Sequence, residues 1–137
     1  MSKQYLSDAM KKNTTSYNEQ SIQGGPILEL EKSKAHVIVE ILEYVPREVV
    51  SRTIIKKTTG NISVSSFDAG KELKEVHSPF EIYIQIIDGT ADVIINDKNY
   101  KLRLGEGIII PAHTLHRFHA TEQFKMISTI IKSGYED

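Results

Sequence analysis

The chain of 137 residues contains no cysteine and no tryptophan, and it has neither a long apolar run nor a charge excess of either sign. The absence of cysteine excludes disulfides, zinc–thiolate centres and thiol nucleophiles. A formal charge of −1 lacks the basic footprint that non-specific nucleic-acid binding needs. No apolar stretch approaches the roughly 20 residues that a membrane-spanning helix takes. The N-terminal stretch Met1 to Asp8 has no apolar core of the kind a secretory leader carries. A soluble, cytoplasmic protein without nucleic-acid or membrane partners is the expectation. Aromatics are sparse, and the apolar share is carried by branched aliphatics that suit a β-rich core.

Residues 1–34 read as an N-terminal arm, polar to about residue 26 and closing on Gly24-Gly25-Pro26. A short helix from Ser7 would be interrupted by the polar run Asn13 to Ser16. Residues 35–137 read as one domain of short β-rich runs separated by turn signals. Strands are expected at 36–44, 49–56, 62–67, 81–87, 91–96, 100–104, 107–110, 115–120 and 124–131. Asp88-Gly89 is expected to close a hairpin, and Asp97-Lys98-Asn99 another turn. Many short strands at even spacing imply an all-β antiparallel barrel or sandwich.

One segment narrows this further. Gly105-Glu-Gly-Ile-Ile-Ile-Pro111-Ala-His-Thr-Leu-His116 resembles the second signature of the cupin superfamily, Gly-x5-Pro-x-Gly-x2-His-x3-Asn. Gly105, Pro111 and His116 match, while His113 replaces a glycine and Ala120 the asparagine. The first signature, Gly-x5-His-x-His-x(3,4)-Glu-x6-Gly, can be anchored on Gly89. Counting back places Ile82 at the glutamate; the shorter gap puts Val76 and Ser78 at the histidines, and the longer gap puts His77 at the second of them. The resemblance covers about residues 40–132 and implies a small single-domain cupin: an antiparallel jelly-roll barrel, a homodimer, and a metal held at the signature histidines. Of those ligands only His116 carries over.

Strand side chains alternate between faces. With His116 pointing inward, Ile82, Ile84, Ile86, Phe118 and Ala120 share its side, while His77 and Glu81 fall one residue out of step. His113 is then a rim residue, His119 faces outward, and His36 lies on the surface. Three readings follow. In the first, the barrel binds a small organic ligand at its mouth through His116, Ser78, Ile82 and Phe118, or the same residues fill the core. In the second, a bulge beside Pro79 brings His77 and Glu81 to His116, making a divalent-metal enzyme of isomerase or dioxygenase type. In the third, the chain is a non-catalytic sensor or partner domain, without a helix-turn-helix of its own. The sequence does not decide whether it is an enzyme, and it assigns no catalytic residue and no firm cofactor.

Overall fold

The structure, a computed structural model, describes residues 29–134. The expected helix from Ser7 lies outside those residues. Nine strands follow a single 3-10 turn at Ile38–Glu40: β1 Val49–Lys57, β2 Gly60–Phe67, β3 Glu72–Ser78, β4 Glu81–Gly89, β5 Ala91–Ile95, β6 Lys98–Leu102, β7 Gly107–Ile110, β8 Thr114–His119 and β9 Phe124–Ile131. They form two antiparallel sheets, ordered β1-β2-β9-β4-β7 and β3-β8-β5-β6. The all-β jelly-roll expectation is met.

Alternation builds the core. Ile82, Ile84 and Ile86 of β4 face Ala91, Val93 and Ile95 of β5 and Phe118 of β8 across the interior. Phe67 stacks on Phe124 with centroids 4.3 Å apart, and Phe118 lies 6.1 Å from Phe67. The three rings join β2 and β9 of one sheet to β8 of the other. Each fully buried side chain of this size contributes about 1.5–3 kcal/mol.

Three expectations need correction. Residues 36–44 are apolar enough for a strand but form no ladder. They run instead as a strap over the outer face of the five-stranded sheet, and their carbonyls accept from side chains. Lys125 Nζ donates to Val39 O at 2.6 Å, Ser66 Oγ to Glu43 O at 3.0 Å, and Arg52 to Ile41 O at 3.2 Å. Lys125, only 7% exposed, also lies 4.9 Å from the centre of the Tyr44 ring. The Tyr44 hydroxyl donates to Asp88 at 2.5 Å. Burial raises the Tyr44 pKa first, and the Asp88 carboxylate raises it further.

Secondly, Asp88-Gly89 closes no hairpin. The strand before it pairs with β7 and β9, and the strand after it with β6 and β8, so the chain changes sheet there. Gly89 takes φ +72°, and a Cβ would stand 2.0 Å from the Gln123 carbonyl oxygen. Only glycine fits that corner. Thirdly, the β5–β6 turn is Asn96-Asp97, both at positive φ, with Ile95 opposite Lys98. That is a two-residue hairpin of the type whose twist matches the strands.

β3 was not among the expected strands. Its charged sequence is exposed on both faces, and it sits at a sheet edge. At the start of the described residues, Leu30 is buried and its N–H donates to Ile54 O at 3.1 Å, tying this segment to β1.

Candidate functional site

His116 occupies the middle of β8, opposite Val76 on β3 and Ile95 on β5. It is 2% exposed. Nδ1 lies 3.2 Å from the Thr114 carbonyl oxygen. A carbonyl only accepts, so Nδ1 carries the proton and Nε2 presents its lone pair. The Phe118 ring stands edge-on to the imidazole, 5.8 Å between centroids. Among the described residues no donor reaches Nε2, leaving a buried acceptor unsatisfied by the protein itself.

The other expected ligand residues are placed differently. Ile82, opposite Ile110 and Ile130, and Phe118 are parts of the packed core. Ser78 closes a local turn, its hydroxyl donating to Phe80 O at 3.1 Å and accepting from Phe80 N–H at 3.0 Å. A concave surface lies beside them, at the seam between β6 and β7. It is an open groove of about 540 Å³ with Ile95, Ile108 and Pro111 as apolar wall and Asn96, Lys98, Tyr100 and Thr114 as polar contributors. Lys98 is its one charged lining residue, with Nζ 5.3 Å from the Tyr100 ring centre. Two of its buried members lead to the histidine: Ile95 is its cross-strand neighbour, and Thr114 its hydrogen-bond partner. The sequence reasoning missed Lys98, Tyr100 and Thr114. The alternation Lys98, Tyr100, Leu102 in β6, read against His116 parity in β8, could have found them.

The divalent metal that the second reading requires can be tested on the donor set. β3 has a bulge, between Leu73 and Val76, but beyond it Val76 pairs with His116 and His77 with Leu115. Val76, 51% exposed, therefore holds the inward position and His77 the outward one. Glu81 opens β4 opposite Ile131 and is exposed on the outer face. Strand parity thus separates His77 and Glu81 from His116. Among the described residues no three His, Asp or Glu side chains converge. A buried metal centre takes three or four donors from the protein, and one imidazole among Val76, Ser78 and Ile82, shut away from water, does not fit it.

The remaining histidines are at the surface or rim. His119 Nδ1 is 4.0 Å from Glu72, outward as its parity requires. His36 Nε2 is 3.0 Å from Glu31 O. His113, at φ +60°, holds the β7–β8 corner, with its N–H donating to Ser78 O at 2.6 Å. Its ring lies 5.9 Å from that of His77, tilted by 45°.

A family model described as "Cupin domain" matches residues 64–130. Protein SchB of Streptomyces halstedii is 29% identical over 76 residues, which is 55% of each chain. The chain spans about half the length of the curated relatives it matches. Among solved structures, a conserved protein of unknown function from Streptococcus pyogenes superposes with a TM-score of 0.73 and 27% identity, over 80% of this chain and 96% of that one. A cupin superfamily protein from Desulfitobacterium hafniense superposes with a TM-score of 0.72 and 20% identity, over 80% and 100%. Two jelly-roll sheets, a signature histidine on β8 and a matched segment from β2 to β9 make the described barrel a small cupin-type domain.

Proposed function

We propose that the barrel binds a small organic molecule at its mouth, with the groove between β6 and β7 as entrance and His116 as the buried acceptor at its inner end. The observation that carries this reading is the Nε2 lone pair of His116. It is 2% exposed, fixed by the Thr114 carbonyl and unpartnered among the described residues. A buried acceptor without a donor costs about 1–3 kcal/mol, which a ligand hydroxyl or amide N–H recovers. The groove supplies an apolar wall with a few convergent polar groups, the general make-up of small-molecule sites. Lys98 at the lip, with no acid among the lining residues, favours a ligand bearing a carboxylate or another anionic group.

The test is the shift in melting temperature across a panel of hydroxy acids, keto acids, sugars and aromatic acids, run with elemental analysis. A ligand that binds only the folded state stabilises it by mass action, about 2.7 kcal/mol at a hundred times Kd. A responding compound should lose its effect in His116→Gln and lose part of it in Lys98→Ala. Near-stoichiometric metal in the purified protein that disappears in His116→Gln would overturn the reading in favour of a metal centre. So would a panel response that His116→Gln leaves unchanged.

A further inference from the structure

We infer that His77 and His113 form a two-imidazole chelate for a borderline divalent cation on the outer rim of the barrel, separate from the interior around His116. The pairing is a product of topology. β3 and β8 run antiparallel, and the β7–β8 corner brings His113 beside the last residues of β3, where its N–H donates to Ser78 O at 2.6 Å. His77, one residue before Ser78, projects outward with Leu115, so its ring meets that of His113 and not that of His116.

The spacing suits a shared ion. With zinc–nitrogen bonds of about 2.0–2.1 Å and each ring centroid about 1.1 Å further on, two imidazoles on one ion stand about 4.5–6 Å apart, centroid to centroid. The observed separation is 5.9 Å. Both residues are exposed, so the rings can turn to aim their lone pairs and water can complete the coordination. Neither imidazole donates to or accepts from another protein group among the described residues, unlike those of His36, His116 and His119. Imidazole donors select Cu²⁺, Ni²⁺ and Zn²⁺ over Mg²⁺ and Ca²⁺, which defines the class of ion.

The φ of +60° at His113 sets the choice of variant, because asparagine tolerates that backbone conformation and alanine does so poorly. Cu²⁺ titrated into tag-free protein, followed by EPR and calorimetry, should show one saturable equivalent with nitrogen hyperfine structure from two imidazoles. His113→Asn and His77→Gln should each weaken binding at least tenfold with unchanged circular dichroism. His116→Gln and His119→Gln should leave it intact. Binding that survives His113→Asn, a one-nitrogen spectrum, or the absence of any saturable equivalent for Cu²⁺, Ni²⁺ and Zn²⁺ would overturn the assignment. Loss of the equivalent in His116→Gln alone would overturn it too, and would place the ion inside the barrel.

Discussion

Tyr44 and Glu29 are two of the side chains through which the fold responds to pH. Tyr44 donates to Asp88 from a half-buried position, and its pKa is raised by burial and then by that carboxylate. A raised pKa means that the neutral phenol is the stabilised form. Its contribution is complete below the ordinary tyrosine value near 10 and is lost as pH climbs toward the higher folded value. Tyr44→Phe should cost roughly 1.5 kcal/mol at neutral pH and flatten the alkaline fall in stability, measured by urea denaturation from pH 7 to 11. Glu29 acts at the other end. Its side-chain bond from Lys32, followed by the Lys56 N–H, lowers its pKa from 4.5 to about 2. That carboxylate stabilises the fold above pH 4.5, and the contribution is lost as pH falls toward 2. Glu29→Gln should remove this part of the acid transition followed by circular dichroism. The chemistry of His116 was only half legible at this scale. Its inward position follows from strand parity, but the protonated nitrogen follows from a carbonyl two residues away that no sequence pattern marks.

Among the elements, the β4–β5 corner is the least tolerant of change. Gly89→Ala would meet the Gln123 carbonyl at 2.0 Å at a left-handed φ, so a loss of about 2–3 kcal/mol is expected in thermal unfolding. Eight of the nine strands were legible, because Ile82, Ile84 and Ile86, or Phe124 and Met126, alternate with outward residues as a half-buried sheet demands. β3 was not, since Lys74, Glu75 and His77 alternate nothing and the strand exists through its pairing with β8. The converse error at 36–44 has the same root. Val37, Val39 and Ile41 look like a strand, but what satisfies the strap carbonyls are Lys125, Arg52 and Ser66, at distances along the chain that local periodicity does not sense. The Asn96-Asp97 turn was misplaced by one residue, which put Lys98 in the turn and not at the head of β6 opposite Ile95.

At the scale of the whole molecule, stability rests on contacts between the sheets. Phe67→Ala removes the ring that stacks on Phe124 and reaches Phe118. A loss of about 3–5 kcal/mol is expected in urea denaturation, a large part of what a domain of this size possesses. Both sheet orders consist largely of strands distant in sequence. β9 makes this extreme, because the last of the described strands lies between β2 and β4. A nascent chain that already carries β1 to β8 therefore lacks the middle of its larger sheet. Ile84 and Ile86 must wait, unpaired on that side, until Phe124 to Ile131 leave the ribosome. Closure of this barrel waits for β9, and the interval before it is when chaperones or aggregation would claim the chain.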